Sequence, residues 1–169
     1  MQVLLQWFLG WLLPYVKQPY LKEFFAGLAP LVTSIAVEPV AMRRNTVGQI
    51  EVFLRQRKPH ESFAGFWHCP GSLLRVGEQP AGVLARLKQA DLGSIRHYQY
   101  VGGEPICCAE PRGWFMLLIY LVELEHASPE GTWWPVNDLP DDLAPHHKLI
   151  VIPKAVGAFT LEALPRPYS

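Results

Sequence analysis

Four arginines fall in a pattern that suits an anion. Arg43 and Arg44 follow one apolar segment, and Arg55 and Arg57 lie two apart, on one face of the next. Guanidinium groups that converge grip a phosphate or a carboxylate through paired N–H donors. The competing reading is a solvated face, on which Glu51 is a ready partner. Two carboxylates, Glu123 and Glu125, end a long apolar run and share a face because they are two apart; charges at a strand end are also simply solvated. His68-Cys69 and His146-His147 are zinc-binding residue types, but their spacing matches none of the usual ligand sets. Cys107-Cys108 read as buried or loop thiols, with a redox pair as the alternative. Trp133 and Trp134 read as core and rim residues, with a base-stacking platform as the alternative.

These residues need elements to position them. Residues 31–42 (LVTSIAVEPVAM) are rich in β-branched side chains and read as a strand, with a turn at Asn45–Gly48. Residues 50–58 alternate: Ile50, Val52 and Leu54 on one face, Glu51, Arg55 and Arg57 on the other, with Phe53 as the exception. A short strand is expected over Phe66–Cys69. Residues 80–92 read as a helix with Pro80 in its first turn and Gly93 just past its end. Ile95–Val101 reads as a strand and Gly102–Arg112 as a loop or hairpin. Residues 114–125 (WFMLLIYLVELE) form the best candidate for a central strand covered on both faces. A turn near Ser128–Gly131 leads to the short strand TWWPV, and LPDDL starts a helix or turn. Residues 146–158 read as a C-terminal helix or helix pair that Pro153 ends or kinks. Strands alternating with helices in this order predict a mixed sheet with helices on both faces.

The chain has 169 residues, which suits one domain with a single core. Half is hydrophobic and 18% is charged, a balance that folds rather than stays disordered. Lys+Arg and Asp+Glu are equal at 15 each, so the chain has no general attraction for nucleic acid or an anionic membrane, and any anion site must be a local cluster. Three cysteines, two of them adjacent, do not make a disulfide framework and point to a reducing compartment such as the cytoplasm. Residues 3–16 are strongly apolar, but no basic segment precedes them and no cleavage site follows cleanly. The run is also shorter than the about 20 residues a bilayer crossing takes. Residues 1–30 therefore read as an apolar helical arm that docks on the domain or on a partner subunit. Trp7 and Trp11 at i, i+4 keep a membrane-surface anchor open as the alternative.

One stretch ties these readings together. Gly65-Phe66-Trp67-His68-Cys69-Pro70-Gly71, then Glu78, Arg86 and Gly93, resembles the signature of the Nudix hydrolases and its Gly-x-Trp-x-x-Pro-Gly-Gly lead-in. Ser72 stands where the signature's first Gly belongs; Glu78 follows after five residues, Arg86 after seven more, and Gly93 closes the motif in register. Downstream, Trp133-Trp134-Pro135-Val136-Asn137-Asp138-Leu139-Pro140 is similar to a second family segment, so the resemblance spans about residues 31–158. It implies an α/β/α sandwich with a mixed sheet over residues 31–169. It also implies that Glu78 and Arg86 pair as a structural brace. In the family, the helix face at 87, 90 and 91 carries carboxylates that bind Mg²⁺ or Mn²⁺ against a substrate diphosphate. Here those positions are Leu87, Ala90 and Asp91. One Asp can hold a weakly bound ion and cannot build a multi-metal cluster.

Three functions are compatible with this. The first is a Nudix-fold protein with an incomplete metal site. It binds a nucleotide-like or other diphosphate ligand through Arg43, Arg55 and Arg57 and hydrolyses it poorly or not at all, with a homodimer as the expected assembly. The second is an active pyrophosphohydrolase whose relocated catalytic carboxylates are Asp91, Glu123 or Glu125, with Mg²⁺ or Mn²⁺ at Asp91. The third is an interaction module working through the arm. Neither a nucleic-acid polymer nor a membrane is the expected partner.

Overall fold

The computed structural model describes residues 32–59, 61, 63–106 and 113–162, together with Trp7. Apart from Trp7, the arm read over residues 1–30 lies outside the described residues, as does the Cys107-Cys108 pair.

Among the described residues, seven strands form one mixed sheet. They are β1 (Thr33–Arg44), β2 (Ile50–Gln56), β3 (Trp67–His68), β4 (Ser72–Leu73), β5 (Gly93–Ile106), β6 (Trp114–Ala127) and β7 (Gly131–Pro135). The main path runs β3-β2-β1-β6-β5, with β4 on β1 and β7 on β2. β1 and β6 are parallel over nine residue pairs, and the other pairings are antiparallel. β1 pairs with β2 only over Met42–Arg44 and with β4 over Ala36–Val37. Between those contacts β1 and β2 part, and the sheet has a mouth.

Two helices cover the sheet, one on each face. On one face α1 (Pro80–Leu87) buries Val83, Leu84 and Leu87 against Val37, Ala41, Phe53 and Val122. On the other, α2 (Ile152–Glu162) places Ile152 and Ala155 against Val40, Val52, Leu54, Leu117 and Ile119. This is the expected α/β/α arrangement. It also explains Phe53, the exception to the alternation of β2. The face read as polar lies under α1 over part of its length, so Val52, Phe53, Leu54 and Arg55 are all buried. At Gly131 a side chain would run into the Phe53 ring, which keeps β7 close.

Two expectations are narrowed. Of the loop and the hairpin read over Gly102–Arg112, Gly102 to Ile106 takes the hairpin: a register shift between Tyr100 and Gly102 absorbs the glycine pair, and β5 continues antiparallel to β6 as far as Ile106. Pro153 does not end the last helical segment. A π-helical turn over His147–Val151 precedes it, with the Ile152 N–H donating to the His147 carbonyl. The extra residue in that turn re-spaces the carbonyls that a proline ring would otherwise strike, and α2 runs on through its first turn, where a missing N–H costs little.

Candidate functional site

The mouth between β1 and β2 opens a cavity of about 250 Å³. Ala36 and Glu38 line it from β1, Arg55 and Arg57 from β2 and the residue beyond, and His68 from β3. Gly71, Ser72 and Leu73 come from the lead-in and β4. Arg86, Leu87, Ala90 and Asp91 come from α1 and the π-helical turn Lys88–Leu92 that extends it. Glu61, Ile106, Phe115, Leu117 and His146 complete the wall. Gly71 lets the chain pass close to β1, since a side chain there would run into the Glu38 carboxylate.

Glu78 and Arg86 pair. Arg86 Nε donates to Glu78 Oε1 at 2.8 Å and its Nη2 to Oε2 at 3.0 Å. The same guanidinium reaches the Ser72 hydroxyl at 3.2 Å and the Leu73 carbonyl at 3.1 Å. It therefore clamps the loop before α1 to both α1 and β4. The Arg86 hydrogen bond holds the Glu78 carboxyl below the usual carboxylate range.

Arg55 is the hub of the cavity. It is only 5% exposed. Its Nη2 donates to both oxygens of Glu61, at 2.8 and 3.1 Å, and its Nη1 lies 3.2 Å from Asp91 Oδ1 and 4.0 Å from Glu130. Glu130 also pairs with Lys58 at 2.9 Å. Burial alone would raise the Glu61 carboxyl, but hydrogen bonding and charge from Arg55, with help from the Lys58 N–H and Arg57, bring it below its ordinary value. His68 is depressed to about 2, first by burial, then by the charges of Arg57 and Arg55. It is a neutral ring at physiological pH.

The structure thus brings Arg55, Arg57 and Asp91 together and leaves three other sequence candidates outside the cavity lining. Arg43 faces Glu51 across the β1–β2 pairing and bonds it at 2.7 Å, with its guanidinium 4.2 Å over the Trp133 ring. Its partner Glu51 lies four residues along β2 from Arg55, roughly 13 Å at strand rise. Glu123 pairs with exposed Arg96 on β5 at 3.2 Å, and Glu125 is exposed further along β6. Trp133 packs on Phe53 and Trp134 on Trp67, toward opposite faces of the sheet. Glu38 and Glu61 were not singled out from the sequence. The only signal for Glu61 was its charge six residues from Arg55; for Glu38 it was a carboxylate inside an apolar strand.

His68, Cys69 and His147 do meet. The Cys69 N–H donates to His147 Nδ1 at 3.3 Å, and His147 Nε2 lies 4.0 Å from Glu38 Oε2. All four are buried. Among the described residues no three His, Cys, Asp or Glu side chains are grouped to hold a metal ion. Mg²⁺ or Mn²⁺ asks for oxygen ligands. Leu87 and Ala90 offer none, Leu87 is committed to the core, and Asp91 already faces a guanidinium. These residues do not fit a divalent metal cluster.

Solved structures of the same architecture give it a name. The Nudix domain of Shewanella oneidensis NrtR, solved with ADP-ribose, is similar at a TM-score of 0.63 and 19% identity, over 89% of this chain and 97% of that one. The chain has the Nudix fold. A MutT/nudix family protein from Enterococcus faecalis is similar at 0.61 and 21% identity, over 92% of this chain and 69% of that one. The longer S. oneidensis NrtR chain gives 0.62 and 22% over 77% of this chain, which spans 64% of NrtR's length. The sequence matches no family model and no curated protein. No helix among the described residues is long and apolar enough to cross a membrane.

Proposed function

We propose that this Nudix-fold chain binds a nucleotide-like or other diphosphate ligand in the cavity between β1 and β2, with poor or no hydrolysis. One observation carries the reading: of the helix positions 87, 90 and 91, only Asp91 bears a carboxylate, and that carboxylate faces the Arg55 guanidinium at 3.2 Å. Losing one general base costs roughly 10²–10⁴ in rate, and losing metal ligands as well costs more. What the cavity retains is recognition chemistry. Arg55 and Arg57 supply guanidinium donors, and Leu73, Leu87, Ile106, Phe115 and Leu117 supply apolar wall for a base or sugar. That the NrtR Nudix domain was solved with ADP-ribose supports a ligand of this class. A hydrolase relying on Glu123 or Glu125 finds less support, because neither lines the cavity.

The test is a thermal-shift titration with ADP-ribose and with pyrophosphate, alongside a product assay in millimolar Mn²⁺. A ligand that binds only the folded state raises the melting temperature, so the expected result is a concentration-dependent rise without product. Steady product release that Asp91→Ala abolishes would sink the proposal.

A further inference from the structure

The Arg55 guanidinium is held unequally. Glu61 takes both of its Nη2 contacts, at 2.8 and 3.1 Å, and fixes the plane of the group. Asp91 takes Nη1 at a longer 3.2 Å, from a side chain still 20% exposed on the π-helical turn after α1. Such turns often stand at functional sites. On the cavity wall the formal charges cancel: Arg55, Arg57 and Arg86 against Glu38, Glu61 and Asp91. Arg86 is further compensated by Glu78. The wall therefore has little net charge to draw a diphosphate until one carboxylate gives way. Both carboxylates that face Arg55 reach water, with side-chain exposures of 20% for Asp91 and 26% for Glu61, but Asp91 holds the guanidinium by one longer contact where Glu61 holds it by two.

We infer that Asp91 is an internal stand-in for the ligand's anion: a diphosphate displaces it from Arg55 Nη1 and binds without a divalent metal, between Arg55 and Arg57. This deepens the diphosphate-binding reading and rests on it. The exchange swaps a carboxylate for a phosphate, which meets a guanidinium through paired charge-assisted hydrogen bonds. Glu61 keeps the guanidinium in place while Asp91 turns outward. No ion is needed to bridge protein and ligand, because the protein supplies the cation.

The inference reverses what a metal-ligand role for Asp91 requires. If Asp91 held an ion that carries the diphosphate, removing its charge would weaken binding. If it competes with the diphosphate, removing its charge strengthens binding.

The experiment measures inorganic pyrophosphate binding to the full chain by calorimetry, in EDTA and in Mn²⁺, for the wild type, Asp91→Asn, Arg57→Gln and Ala90→Glu. Expected are wild-type affinities within about twofold in the two buffers, and an affinity about tenfold tighter in Asp91→Asn, a change of about 1.4 kcal/mol. Arg57→Gln is expected to be about tenfold weaker. Ala90 is exposed, so Ala90→Glu keeps the fold and tests the same idea from the other side: a second carboxylate beside Asp91 weakens binding in EDTA. Binding that needs Mn²⁺ and falls in Asp91→Asn overturns this inference and leaves the ligand-binding proposal standing. No pyrophosphate binding to any form, in either buffer, overturns both.

Discussion

His68 is buried beside two guanidinium groups, and this sets its acid–base behaviour. With its pKa depressed to about 2, the folded state keeps the ring neutral. The unfolded chain binds a proton there near pH 6.5. Between those values the unfolded state holds more protons, so stability rises with pH, is fully present above about 6.5 and is lost as pH falls below it. The slope from this one group is at most about 1.4 kcal/mol per pH unit. Urea midpoints at pH 7 and pH 5 should therefore drop in the wild type, and drop less in His68→Gln. Equal drops in the two proteins would assign the loss to other groups. The same residue shows how far the site could be read from sequence. Arg55 and Arg57 were legible as basic residues on one strand face. The depression of His68, the burial of Arg55 and the roles of Glu61 and Glu38 were not. They arise where the Arg57–Phe66 loop and the β1–β2 mouth bring distant side chains together, and no periodicity encodes that.

At the scale of the element, the segment from α1 to β5 turns on Gly93. The glycine has φ of 93°, in the left-handed region, and a side chain there would meet the His126 carbonyl. It converts the π-helical turn into β5 while letting β5 settle beside the end of β6. Gly93→Ala is expected to lower stability by about 1–3 kcal/mol from backbone strain alone, with more from the contact. A melting temperature within a degree of wild type would refute this. Gly93 as a helix stop was legible because stop chemistry is local. The π-helical character of Lys88–Leu92 and of His147–Val151 was not. β6 was the most legible strand, since a run of apolar residues that long has few other uses. The extension of β5 to Ile106 was hidden behind Gly102-Gly103, two residues that usually mark a turn and here mark a register shift.

At the scale of the molecule, one sheet serves two cores. Val40 and Val52 belong to the α2 side, Ala41 and Phe53 to the α1 side, and adjacent residues of the same strands carry both. Neither core can loosen without disturbing the strands that hold the other. The prediction is a single cooperative unfolding transition. Fluorescence from Trp67, Trp133 and Trp134, which pack on both faces, should change together with the far-ultraviolet signal of the sheet. Two separated transitions would show that the layers unfold independently. The layered architecture was legible from the order of strands and helices. The parting of β1 and β2 that makes the cavity was not, because it depends on where pairing stops.

The parallel pairing of β1 with β6 has a consequence for how the protein is made. Thr33 lies beside Trp114 and Ala41 beside Val122, a separation of 81 residues in each case (114 − 33 and 122 − 41). At about 5–20 residues per second, a ribosome spends roughly 4–16 s between releasing β1 and releasing the strand that flanks it. During that interval an apolar strand waits with one side unpaired, a template for other nascent chains. The stretch of the gene between residues 33 and 122 is therefore where slowed translation, or loss of chaperone cover, should most reduce the yield of folded protein.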